Sequence, residues 1–282
     1  MTILVYTGNA GKLNEFKNFF SSSEQQILGL SDLKNITQLN ISEANEDSDY
    51  FLTNAFIKVF TALKFIYENK HINAIKTIKS LLIDDSGLCV PDLGFLPGVH
   101  SAVYAGAPKS DTKNREKLSK EINSIFLNDG SKDSRLKGFF VCFLFEFKIS
   151  DIEKLSFVKN YNFSSASSFV NSLTLEVEKE LLKKVNLDEI GGAKQISMTL
   201  NDFFDKFPKD LFLNIYYGFC CGEVSAVEQN LISGVGHGYD SQFFSNANKN
   251  LSFASISMQD KNKISHRAFA MEALKNGHGK KQ

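Results

Sequence analysis

Four short stretches of this sequence carry residue types that can do chemistry. Asp84-Asp85-Ser86-Gly87 sets two carboxylates side by side, and like charges so close repel unless a cation lies between them. A hard divalent ion with oxygen ligands, Mg²⁺ where the substrate is a phosphate, accounts for the pair. A turn or helix N-cap favours the same residue types. Thr7-Gly8-Asn9-Ala10-Gly11-Lys12, set between a strand and a helix, offers an anion backbone N–H groups and one fixed cation. It is not a P-loop, since only two residues separate Gly8 from Gly11 and Leu13 follows Lys12 where Ser or Thr is required. Gly236-His237-Gly238-Tyr239-Asp240 allows close backbone approach, with His and Tyr rings able to stack on a base; it also reads as an ordinary loop turn. Lys261 and Ile264-Ser265-His266-Arg267 precede a short apolar stretch ending near Leu274. Ser265 suits an N-cap, but two cations in a first turn oppose the helix dipole, which favours an anionic or polar ligand nearby.

These stretches need strands and helices to hold them. Ile3 to Tyr6 is a short buried-strand pattern, and Leu13, Phe16 and Phe20 then share one face of a helix starting near Gly11. Leu52, Ala55, Phe56, Val59, Leu63, Ile66 and Tyr67 form a stronger helical stripe over 52–67. Leu81-Leu82-Ile83 predicts a short strand that ends in Asp84-Asp85-Ser86-Gly87. Pro91, Pro97 and Pro108 make the stretch that follows a stiff, ordered loop. Phe139 to Phe147 is a central-strand pattern, and Leu213 to Tyr217 another. The alternation makes the fold class α/β.

Residues 148–214 differ. Val177, Leu181, Leu182 and Val185 make one helical pattern, and Leu200, Phe203, Phe204 and Phe207 a second, with Gly191-Gly192 between them and Pro208 closing the second. The segment reads as a helical insertion in a single domain spanning 1–282. A short turn in place of 150–212 is expected to leave the chemical stretches folded.

Composition sets the bounds. The 282 residues can bury a sizeable core. Lys plus Arg (32) equals Asp plus Glu (32), so no overall basic field points to a nucleic-acid or membrane partner. Cys89, Cys142, Cys220 and Cys221 contain no CxxC pair, which argues against a zinc site or disulfide framework and fits reduced thiols in a cytoplasm. The apolar run after Met1 is too short for a signal peptide or membrane span.

In this order the stretches resemble the inosine triphosphate pyrophosphatase family of house-cleaning enzymes. The resemblance rests on Thr7-Gly8-Asn9-x-Gly11-Lys12 with Glu15; Asn54-Ala55-x-x-Lys58; Asp84-Asp85-Ser86-Gly87-Leu88; Pro97-Gly98-Val99-x-Ser101-Ala102-x-Tyr104-Ala105-Gly106; Gly236-x-Gly238-Tyr239-Asp240; and Ser265-His266-Arg267-x-x-Ala270. It covers about 1–147 and 215–275. It implies a long central mixed sheet flanked by helices, two lobes with a cleft between them, a homodimer, and Mg²⁺-dependent hydrolysis of inosine and xanthosine triphosphates to monophosphate and pyrophosphate. It assigns Thr7, Gly8, Asn9, Ala10, Gly11 and Lys12 to the triphosphate, with Ser86 and Lys58 lining the phosphate pocket. Asp85 becomes the general base, and Glu46, Asp84 and Asp85 hold the metal. His237, Gly238, Tyr239, Asp240, Lys261, His266 and Arg267 hold base and sugar.

The pattern is departed from at several positions. Ser48 and Tyr50 stand where Gly and Thr are expected, and Glu43 rivals Glu46 as ligand. His237 replaces an aromatic, Ser241 a proline, and Val103 an arginine. Two other readings remain open: a Maf-like pyrophosphatase of different base preference, against which the Ser265-His266-Arg267 tail argues, and a non-catalytic nucleotide sensor.

Overall fold

The computed structural model describes residues 1–126, 134–160, 172–196, 211, 213–230 and 237–279. The pattern at Leu200, Phe203, Phe204 and Phe207, and also Pro208 and Gly236, lie outside the described residues. In chain order the strands are β1 (Thr2–Val5), β2 (Gln26–Leu28), β3 (Ile78–Val90), β4 (Leu96–Pro97), β5 (Arg135–Lys148), β6 (Gly191–Ile196), β7 (Leu213–Ser225) and β8 (Phe243–Ser245). The helices are α1 (Ala10–Phe19), α2 (Leu30–Thr37), α3 (Phe51–Glu68), α4 (Asn73–Lys76), α5 (Asp111–Ile125), α6 (Ser172–Lys183), α7 (Met258–Ile264) and α8 (His266–Gly279). The described strands join in the order β2-β1-β3-β5-β7-β6, with β4 on β3 and β8 on β7. The sheet is mixed: β1 runs parallel to β2 and β3, whereas β4 and β8 are antiparallel to their neighbours. The fold class is therefore α/β, as the alternation predicts.

The chain divides into two compact units. One comprises Met1–Asp85, Phe143–Lys183 and Gln195–Tyr216; the other comprises Ser86–Cys142, Lys184–Lys194 and Tyr217–Gln282. The first is organised around α3, which is apolar on nearly every face and accordingly buried along most of its length. Phe51 meets Phe143 at 5.8 Å between ring centroids, Phe56 meets Phe145 edge-on at 5.0 Å, and Phe60 meets Phe157 at 6.5 Å. Phe143 and Phe145 are two apart on β5 and so share one face of the strand. Each such ring, fully buried, contributes roughly 1.5–3 kcal/mol by leaving water. In the second unit Leu88, Tyr104, Phe140, Tyr239, Phe243 and Phe253 share one apolar cluster.

Two expectations need correction. β3 does not end in Asp84-Asp85-Ser86-Gly87 but runs through these residues to Val90. Strands are poor in Asp, but here both carboxylates meet lysines, and Leu88, Cys89 and Val90 carry the buried pattern onward. Gly191-Gly192 is not a break between helices; it opens β6, and a β-carbon on Gly191 would lie 2.4 Å from the Phe219 carbonyl oxygen of β7. That close strand approach is what glycine permits. Ile152–Asn160 is a 3-10 stretch that buries Leu155, Phe157 and Val158. Among the described residues, no helix is long and apolar enough to cross a membrane.

Candidate active site

The Thr7–Lys12 loop is the turn from β1 into α1. Thr7 Oγ1 accepts from the Asn9 N–H at 3.1 Å, and Asn9 Oδ1 accepts from the Lys12 N–H at 3.2 Å, so Asn9 is the N-cap of α1. A β-carbon on Gly8 would collide with the Glu43 carboxylate, which packs over the loop. One turn into the helix, Lys12 Nζ reaches Asp84 Oδ2 at 3.1 Å.

Lys58, on α3, is the hub of this cluster. Its ammonium lies 2.7 Å from Glu46 Oε2, 2.9 Å from Asp85 Oδ1 and 3.2 Å from the Asp84 carbonyl oxygen. Burial alone pulls this ammonium down, but the charges of Asp85, Glu46 and Asp84 hold it above the ordinary lysine range. Burial pushes the Asp85 carboxyl up, with Glu46 adding to it, and Lys58 and Lys12 restrain it at about 6. Asp85 Oδ2 is buried and has no hydrogen-bond partner among the described residues. Asn54, one turn before Lys58, clamps the preceding loop in both directions, accepting from the Ser48 N–H at 3.0 Å and donating to the Ser48 carbonyl at 3.1 Å. Of the two rival glutamates, Glu46 joins Lys58 and Glu43 covers Gly8.

The second unit gathers the remaining predicted residues. Ser265 Oγ accepts from the Ala268 N–H at 3.2 Å, the N-cap that the sequence suggests for α8. In the first turn, Arg267 Nη2 donates to Ser86 Oγ at 3.0 Å, and the His266 ring stacks on Phe140 at 4.9 Å. Ser86 therefore meets an arginine. Asp240 Oδ2 accepts from Lys261 Nζ at 2.7 Å and from the His237 N–H at 2.8 Å. Tyr239 is buried, with its hydroxyl donating to the Ser101 carbonyl at 2.9 Å, so it anchors the loop; the His237 ring is the more open of the two.

Two residues that the sequence did not single out fix this loop. Asp111, at the start of α5, accepts from the Gly238 N–H at 2.9 Å, and Arg115 Nη1 donates to the Gly238 carbonyl at 3.0 Å. Gly238 has φ +59°, a conformation that glycine adopts without penalty. Asp111 and Arg115 lie more than a hundred positions before their partners in an otherwise polar helix, so no local signal marks them.

Among the described residues, no three His, Cys, Asp or Glu side chains converge as a ready-made metal cage. Lys58 stands between Glu46 and Asp85. The donor set nonetheless suits a hard cation, being all oxygen with Asp85 Oδ2 unsatisfied. Mg²⁺ characteristically takes only one or two carboxylates and completes its shell with water and substrate phosphate.

The chain matches the Ham1 family over residues 3–158 and 194–277. A dITP/XTP pyrophosphatase of Acinetobacter baylyi is 34% identical over 143 residues, 51% of this chain and 59% of that protein. One from Sulfurovum sp. is 41% identical over 118 residues, 42% of this chain and 51% of that protein. The chain thus spans about half to three fifths of the length of these curated relatives. A dITP/XTP pyrophosphatase of Haemophilus influenzae is 27% identical over 274 residues, 97% of each chain. The solved Ham1 protein of Staphylococcus aureus superposes with a TM-score of 0.56 at 23% identity over 100% of both chains. That of Coxiella burnetii gives 0.58 at 19% identity, over 99% of this chain and 98% of the other. These two likenesses speak to the fold alone. With both matched stretches together covering most of its length, the chain belongs to the Ham1 family.

Proposed function

We propose that this protein is a cytoplasmic, homodimeric nucleoside-triphosphate pyrophosphatase that hydrolyses ITP, dITP and XTP to the monophosphate and pyrophosphate with Mg²⁺. Asp85 is the observation that carries the reading. It is a buried carboxylate with one oxygen on Lys58 and the other without a partner among the described residues, and its pKa is raised toward neutrality. Such a group takes a proton from water and releases it again near neutral pH. Asp85 Oδ2 accepts the proton as the water oxygen bonds to phosphorus, and the anhydride P–O bond breaks to release pyrophosphate. Glu46 and Asp84 would hold Mg²⁺ directly and Asp85 through water, and the ion when bound stabilises charge on the phosphate oxygens. The Thr7–Lys12 loop takes the triphosphate at the start of α1, with Lys12 as its cation, and Lys58 neutralises the developing charge.

His237, Gly238, Tyr239, Asp240, Lys261, His266 and Arg267 serve base and sugar, and Ser86 lines the phosphate pocket. A 6-keto purine presents an acceptor where adenine presents a donor, so the His266 and Arg267 donors favour inosine and xanthosine. Leaving one buried donor unmatched costs about 1–3 kcal/mol, or roughly tenfold to a hundredfold in selectivity per contact. The curated relatives named dITP/XTP pyrophosphatases support the same substrates. The test is product analysis with Mg²⁺ and a panel of triphosphates. Pyrophosphate from ITP and XTP is expected. Orthophosphate would make the protein a phosphatase, preference for pyrimidines a Maf-like enzyme, and binding without turnover a sensor.

A further inference from the structure

Helix α3 carries Asn54 and Lys58 but begins without a cap of its own. Its N-cap is Tyr50, whose side chain makes no capping hydrogen bond, and no acidic residue follows in the first turn. Phe51 and Leu52 are buried, so water does not reach their N–H groups, and orphan donors in a buried first turn must find an acceptor. The acceptor comes from far along the chain. Glu178 Oε1 accepts from the Phe51 N–H at 3.1 Å, and Glu178 Oε2 from the Leu52 N–H at 2.8 Å. Each carboxylate oxygen serves one donor, and a negative charge at a helix N-terminus is favoured by the helix dipole. The next residue of α6, Lys179, places its ammonium over the Tyr50 ring at 5.8 Å.

The burial on α6 is informative. Val177, Leu181 and Leu182, which carry the helical pattern, are only half-buried, whereas Glu178 is 3% exposed. A carboxylate is not buried for its transfer energy. Its position makes sense through what it holds, the first turn of the helix from which Asn54 clamps Ser48 and, one turn on, Lys58 reaches Glu46 and Asp85. Asp85 is close enough for its charge to help burial raise the Glu178 carboxyl to about 7. α6 also lies between the two stretches that match the family.

We propose that Glu178 is a positioning residue for the reaction, a cap supplied from a distant point of the chain that sets the first turn of α3 and, through it, Lys58 and the Glu46 loop. The proposal rests on the pyrophosphatase reading. Removing 150–212 should therefore take the cap away and impair turnover, the reverse of what the sequence pattern suggests.

The test compares wild type, Glu178→Ala, Glu178→Gln, and Glu178→Ala combined with Tyr50→Ser, which gives α3 a local N-cap. Pyrophosphate release and hydrogen exchange at the Phe51 and Leu52 amides are both followed. Glu178→Ala is expected to lower kcat by about tenfold to a hundredfold, as displaced catalytic groups do, with KM changed less than kcat. Exchange at both amides should accelerate, and Tyr50→Ser should restore much of the lost kcat. Wild-type kcat in Glu178→Ala overturns the proposal, as does a folded Glu178→Ala whose loss the new cap leaves untouched. If Glu178→Ala does not fold, Glu178→Gln decides: it keeps one acceptor, so an intermediate kcat is expected and full activity overturns the proposal. A wild type without pyrophosphate release refutes the functional reading instead, and amide exchange then still judges the cap.

Discussion

Helices α1 and α3 each deliver one lysine to the Asp84–Asp85 pair, yet they are anchored in opposite ways. α1 is capped by Asn9, one residue before its start, and Lys12 meets a single carboxylate oxygen. α3 is capped by Glu178, over a hundred residues away, and Lys58 meets three oxygens on three residues. The first anchor is local and serves one contact; the second is remote and holds a network. Loss at the second should propagate further, because Lys58 balances the buried Asp85 and the more exposed Glu46 at once.

The largest expected effect tests the pair itself. Asp85→Asn keeps the shape but removes the proton acceptor, so kcat should fall by about 10²–10⁴ with the fold intact. Retention of more than about a tenth of wild-type kcat would move the base elsewhere.

The next contrast sets the two lysines against each other. Lys58→Met leaves Glu46 and Asp85 without their shared cation, and breaking a buried pair costs about 3–5 kcal/mol. Lys12→Met gives up one contact at a more exposed side chain and should cost only about 1–3 kcal/mol, while raising KM and lowering kcat. Urea denaturation and steady-state kinetics on both variants check the order. Equal losses would mean that the network around Lys58 is not the hub described.

A pH measurement sharpens the comparison at the caps. Burial raises the Glu178 carboxyl from an ordinary 4.5 to about 7. Between those values the folded chain keeps a proton that the unfolded chain has released. The stabilisation is therefore complete below about 4.5 and lost as pH rises through about 7. Glu178→Gln should flatten this portion of the stability curve; an unchanged slope would place the titration elsewhere. Asn9→Ala is the smallest change, costing about 0.5–2 kcal/mol in stability through loss of a local cap. A loss well above that range would show that Asn9 does more than cap α1.

The same contrast explains what can be read in the sequence. The turn at Thr7–Lys12, the stripe over 52–67, the Phe139–Phe147 strand and the Ser265 cap are all set by neighbours within one or two turns, and each is legible. β3 runs past Asp84-Asp85 because lysines on two helices neutralise what a local pattern reads as a strand end. Asp111, Arg115 and Glu178 act on backbone groups more than a hundred residues away, and periodicity carries no trace of them. Gly191 reads as a helix break because the neighbouring strand that requires it is invisible in one dimension.

The central claim is most directly tested by offering equal ITP and ATP with Mg²⁺ in one sample and following both nucleotides and the phosphate product together. IMP and pyrophosphate are expected, with ITP consumed at least roughly tenfold faster than ATP, the selectivity of a single matched donor. Nucleoside diphosphate with orthophosphate, or equal consumption of the two nucleotides, would contradict it.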